Sequence, residues 1–130
     1  MATDATEALA ARVRALLADG PDAADVDERR MFGGVAVLVG GRMAVAASGH
    51  GGLMVRGTPE DAATWQAEPG VGPVVMRGSP SRGWVLVDPD HLDDEALETW
   101  VARGVARARA LAVEDGPRAS RGRRAAGRAG

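Results

Sequence analysis

The chain has no cysteine, no lysine and no tyrosine, and only one phenylalanine, Phe32, among its 130 residues. Without cysteine there is no disulfide scaffold, thiolate zinc site, thiol nucleophile or iron–sulfur cluster, so packing alone must hold the fold. Only two histidines are present, His50 and His91, and any metal or acid–base centre would have to combine one of them with carboxylates. No apolar run is long enough to span a bilayer, and the start, MATDATEA, is polar and acidic where a leader would be basic and then apolar. The expectation is a cytoplasmic protein with no membrane contact. Nucleotide-binding loops are missing as well. Gly33-Gly34 is followed by the strand-like Val35 to Val39 and not by a helix, so these glycines read as a bulge or a close packing contact rather than a phosphate cradle.

What is there is an apolar content of 45%, enough for one real core, and a divided charge. Residues 1–115 carry eleven Arg against eighteen Asp and Glu, whereas residues 116–130 carry five Arg and no acid. The body is acidic and the tail basic. The tail has no apolar period and is expected to be disordered. Its arginines, Arg118, Arg121, Arg123, Arg124 and Arg128, are the candidate nucleic-acid contacts, which by counterion release alone would give weak, salt-sensitive, sequence-blind binding.

The stretch RMFGGVAVLVGGRMAVAASGHGGLMVR, from Arg30 to Arg56, contains three β-branched apolar runs separated by Gly40-Gly41 and by Gly49-His50-Gly51-Gly52, the pattern of a three-stranded antiparallel meander. Alternation in the first run sets Val35, Val37 and Val39 on one face and Ala36 and Leu38 on the other, so both faces are expected to have apolar cover. Before it, Leu9, Val13, Leu16 and Leu17 share one side of a helix over 5–18, with Asp4 and Glu7 as a capping pair at its start and Gly20-Pro21 as its stop. The acidic PDAADVDE reads as a linker. After the meander, Thr58-Pro59-Glu60-Asp61 is a helix start, and a short helix is expected to end near Trp65 to Ala67. A second hairpin, Val74 to Arg77 with Trp84 to Val87, is expected around the turn Gly78 to Gly83. A long helix closes the domain over 93–113, with Leu97, Trp100, Val101, Gly104, Ala108 and Leu111 as its buried stripe and Arg103, Arg107 and Arg109 toward its negative end.

The Met31-Phe32-Gly33-Gly34 opening, the Gly41-Arg42-Met43 turn, the strand Leu53-Met54-Val55-Arg56 and the run from Asp88-Pro89 to Trp100 together resemble the N-terminal domain of the TfoX (Sxy) competence-regulator family, over roughly residues 9–111. The resemblance implies a compact α+β domain with no established catalytic residues to transfer, and a regulatory role linked to transcription. Fold likeness is a weak warrant for function, so the individual side chains need weighing too. Ser48 lies two residues from His50, but no third group or oxyanion hole accompanies them. His91 sits in an acid-rich turn, Asp88 to Asp94, that reads as a strand end and helix start. Trp65, Trp84 and Trp100 are core anchors or the walls of a ligand cleft. Met31, Met43, Met54 and Met76 are core or an adaptable partner surface.

The expectation is therefore one α+β domain over residues 1–113, its antiparallel sheet of about five strands (three-stranded meander plus hairpin) packed by an N-terminal helix, a short middle helix and a long C-terminal helix, followed by a disordered Arg-rich tail over 114–130. Its function is expected to be non-enzymatic, with no cofactor and no metal: an interaction or regulatory module acting through protein contacts with an unidentified protein partner or a second copy. The alternatives are weak nucleic-acid association through the tail and a small-ligand site lined by tryptophan.

Overall fold

The computed structural model describes residues 4–31, 33–76 and 78–121, with backbone only at 76, 80 and 115–121. An N-terminal helix, α1 (Asp4–Ala18), buries Leu9, Ala10, Val13 and Leu17, and the Gly20 amide closes it by donating to the Leu17 carbonyl at 3.2 Å. The residue that precedes this helix lies outside the described residues, and the Glu7 carboxylate takes the Arg30 guanidinium.

Six strands follow where about five were expected: β1 (Val26–Met31), β2 (Gly34–Val39), β3 (Arg42–Ala47), β4 (Leu53–Arg56), β5 (Val71–Met76) and β6 (Ser79–Val87), all antiparallel in the order β1-β2-β3-β4-β6-β5. The additional strand is β1, whose sequence VDERRM has too little apolar character to look like one. It is an edge strand whose charges are sorted by face. Glu28 and Arg30 turn toward α1, where Arg14 meets the Glu28 carboxylate at 2.5 and 2.9 Å and Glu7 meets Arg30, while Asp27 and Arg29 alternate onto the opposite face. A charged edge of this kind resists further strand pairing. At the other edge, Pro73 and a register shift between Pro73 and Val75 interrupt β5, which has the same effect.

The second hairpin turns more tightly than expected. Met76 pairs with Ser79, so β6 begins at Ser79 and continues, with a shift of register against β5, through the residues read as a turn. The Gly83 carbonyl instead accepts from the Gly57 amide at 2.7 Å, tying β6 to the segment after β4.

The short helix α2 (Pro59–Trp65) has the expected start: Thr58 Oγ1 accepts from the Asp61 amide at 2.9 Å, and the Asp61 carboxylate accepts from the Thr58 amide at 3.2 Å. Thr58→Ala removes one half of this reciprocal pair and is expected to lower stability by about 1 kcal/mol, read as a small fall in denaturant midpoint at unchanged slope.

The closing helix, α3 (Asp94–Arg121), ends eight residues later than the sequence suggested. Residues 114–121, expected in the tail, thus continue the helix, and Arg103, Arg107 and Arg109 lie in its middle and not at its negative end. Residues 122–130, the remainder of the expected tail, lie outside the described residues.

The main core fills one face of the sheet. Val35, Val37 and Val39 of β2, Val45 of β3, Leu53 and Val55 of β4 and Val85 and Val87 of β6 meet Leu9, Val13 and Leu17 of α1 and Leu97, Trp100, Val101, Val105 and Ala108 of α3. Gly104 brings α3 onto the sheet, because a Cβ there would lie 2.5 Å from the Ala44 carbonyl oxygen and 2.7 Å from Val45 Cγ1.

Candidate functional site

The sheet's second face is built differently. Ala36 and Leu38 of β2 and Ala46 of β3 form a separate apolar cluster, buried beneath the half-buried Met31, Met43 and Met54. Every member of this cluster comes from a strand. Cross-strand register sets the layout: Asp27, Leu38 and Met43 lie in one row across β1, β2 and β3, and Arg29, Ala36, Ala46 and Met54 lie in the next, since directly paired residues share a face. The result is a shallow layer with methionine side chains for a lid, bordered at β1 by one exposed acid and one exposed base. Methionine is unbranched and polarizable, so such a surface can adapt to what touches it.

A second group lies at the end of the sheet where β3 begins and β4 ends. Arg56 stacks over the Trp84 ring at 5.6 Å and donates from Nη1 to the Met43 carbonyl at 3.4 Å. Burial lowers its pKa below the ordinary arginine value, and the charges of Arg107 and Arg42 lower it further. Arg107, from α3, has a largely buried side chain, 21% exposed, whose Nη1 reaches the exposed Glu114 carboxylate at 3.3 Å. Its Nε is buried with no hydrogen-bond partner.

Several other arginines have carboxylate partners. Arg109 holds both Asp22 and Asp25, at 2.5 and 2.7 Å. Arg103 bonds Glu68 at 2.9 Å while stacking over Trp100 at 4.4 Å and Trp65 at 5.4 Å, and Arg12 meets Asp94 at 3.1 Å. Hydrogen bonding from Arg14 holds the Glu28 carboxyl below the usual glutamate range.

The residues singled out from the sequence fall as follows. Trp65 and Trp100 pack edge to face, their centroids 5.6 Å apart at 87°, whereas Trp84 stands apart under Arg56, so the three do not wall a common cleft. His50 lines an open groove of about 500 Å³ together with Gly70, Leu86 and Asp88. Ser48 Oγ is occupied in its own turn, accepting from the His50 amide at 3.1 Å, and Asp88 caps the following turn by accepting from the Asp90 amide at 2.8 Å. Among the described residues no three of His, Asp and Glu are grouped to hold a metal ion, and no helix is long and apolar enough to cross a membrane. Arg118 and Arg121 lie on the last turn of α3. Arg123, Arg124 and Arg128 lie outside the described residues.

Arg56 and Arg107 were not found from the sequence. A signal was there for Arg107: with Trp100, Gly104 and Leu111 it follows helical spacing along the edge of the buried stripe, a costly place for a charge.

The meander that begins at the Met31 opening, the capped short helix and the glycine-seated last helix form one continuous unit, and the TfoX N-terminal domain matches the chain over residues 17–108. The chain belongs to the TfoX N-terminal domain family. That match runs from the end of α1 to the middle of α3, so it takes in the whole sheet, the methionine layer and both Arg56 and Arg107. Among curated proteins and among solved structures, nothing matches the chain.

Proposed function

We propose that this TfoX N-terminal domain protein is a non-enzymatic interaction module of the cytoplasm, with a regulatory role linked to transcription, and that its contact surface is the methionine-lidded face of the sheet, occupied by the same face of a second copy. The single observation that carries the reading is that layer, to which no helix contributes among the described residues. The two edges of the sheet are poor alternatives, since one is charged and the other is broken by Pro73.

A second copy fits because the rows are self-complementary. A two-fold axis passing between them, perpendicular to the strands, sets Asp27 of each copy against Arg29 of the other, Leu38 against Ala36 and Met43 against Ala46. Opposite charges meet at the border, and large side chains meet small ones inside. Identical surfaces brought together by a two-fold axis must be complementary to themselves in this way, and aligned face-to-face packing is an ordinary solution for two sheets.

The test is sedimentation equilibrium of the full chain. Asp27→Arg puts like charges together twice per dimer and is expected to weaken association about tenfold, equivalent to about 1.4 kcal/mol. Adding Arg29→Asp restores the pairing with its polarity reversed and is expected to recover the wild-type constant. A wild-type chain that stays monomeric from micromolar to millimolar concentration, or a double variant no better than the single one, would overturn the proposal.

A further inference from the structure

We infer, resting on the pairing of copies proposed above, that the contact surface continues past the methionine cluster across β4 and β6, where Trp84 of each copy seats against Leu86 of the other. Trp84 is then the anchor of the interface.

Register places both residues on the open face of the sheet. Ala46 pairs with Met54, Met54 with Leu86 and Arg56 with Trp84, and directly paired residues share a face. The row that holds Arg29, Ala36 and Ala46 therefore runs on through Met54 to Leu86. The row of Asp27, Leu38 and Met43 runs on through Arg56, whose guanidinium reaches the Met43 carbonyl at 3.4 Å, to Trp84. The alternating residues Val55, Val85 and Val87 are buried in the helix-covered core, to which neither Trp84 nor Leu86 contributes. Both are only half-buried.

The two-fold axis that sets Asp27 against Arg29 serves this half of the sheet without adjustment, because it lies along the rows and carries one onto the other strand by strand. Arg56 then meets Met54 of the second copy, and Trp84 meets its Leu86. Since the axis is perpendicular to the strands, the twist of the sheet turns both copies together about it, and the match holds from β1 to β6. Size argues for the longer contact. Two rows across the three strands from Asp27 to Ala46 cover about 14 Å by 14 Å of sheet, far short of the roughly 800 Å² per partner that stable associations bury. Adding β4 and β6 widens the contact to about 24 Å and brings in a tryptophan.

The ring is positioned before a partner arrives. Arg56 stacks over it at 5.6 Å while bonded to the Met43 carbonyl, so less side-chain freedom is lost on association. Tryptophan and arginine are also the residues in which binding energy most often concentrates.

The experiment follows the ¹⁵N-labelled full chain through a dilution series and measures variants by sedimentation equilibrium. The Trp84 indole N–H signal is expected to move as the chain is concentrated, while those of Trp65 and Trp100, packed on each other at the helix-covered core, hold still. Trp84→Leu leaves leucine against leucine and is expected to weaken association about tenfold. Adding Leu86→Trp again sets a ring against a leucine and is expected to recover most of that loss, which a merely structural tryptophan would not give. The indole signals are read on the unaltered chain, so they decide the matter whether or not a variant folds well. A chain that associates and responds to Asp27→Arg, but whose Trp84 signal stays fixed, would overturn this anchor and leave the methionine-face pairing standing. A double variant no better than Trp84→Leu alone would do the same. A chain that stays monomeric from micromolar to millimolar concentration would overturn both.

Discussion

Gly104→Ala is expected to destabilise the protein by about 3 kcal/mol, lowering the melting temperature by roughly 10 °C in a domain of this size. The sign is informative. Alanine is the better helix former by about 1 kcal/mol, so a helix lying free of its neighbours would gain from the change. Here the added methyl group would sit 2.5 Å from the Ala44 carbonyl oxygen and 3.0 Å from its carbon. Backbone in the middle of a sheet cannot move aside as the end of a flexible side chain can, so α3 must lift away from β3, loosening Val101, Val105 and Ala108 with it. Thermal melting of the variant decides the matter, and an increase in melting temperature would mean that the helix is not seated on β3 through this glycine.

Trp100→Ala is expected to cost about 3–5 kcal/mol, a large part of the roughly 5–15 kcal/mol by which a domain is stable. The ring is 5% exposed, lies edge to face with Trp65 and carries the Arg103 guanidinium 4.4 Å from its centroid. Its removal empties a volume under α2 and takes away the surface on which Arg103 lies while reaching Glu68. Denaturant titration followed by the fluorescence of the two remaining tryptophans would measure the loss. A cost below about 1 kcal/mol would place Trp100 outside the core, contrary to the packing described.

Much of this fold can be read from side-chain period. The alternation of Val35, Val37 and Val39 against Ala36 and Leu38 correctly separates two apolar layers, and Thr58-Pro59-Glu60-Asp61 correctly begins a helix, because both patterns are local and the backbone carries them unaided. β1 is a different case. Its residues Asp27 to Arg30 are charged, and only the tertiary partners Glu7 and Arg14 on α1 make half of them fit a sheet face. The span of β6 was obscured by Pro80, Ser81 and Gly83, turn-forming residues that strand pairing overrides. The methionines illustrate the limit most clearly. Period puts Met43 and Met54 in strands, but whether a helix covers them depends on the side from which α1 and α3 approach, and nothing in the local sequence of β3 or β4 states that.

Methyl NMR of the full chain with labelled methionine, recorded across a dilution series, is the most direct measurement on the open face. The ε-methyl signals of Met31, Met43 and Met54 are expected to move together as the chain is concentrated, while the methyl signals of Val37 and Val85, on the helix-covered face, hold their positions. Methionine signals that stay fixed from micromolar to millimolar concentration would contradict the pairing of copies through this face.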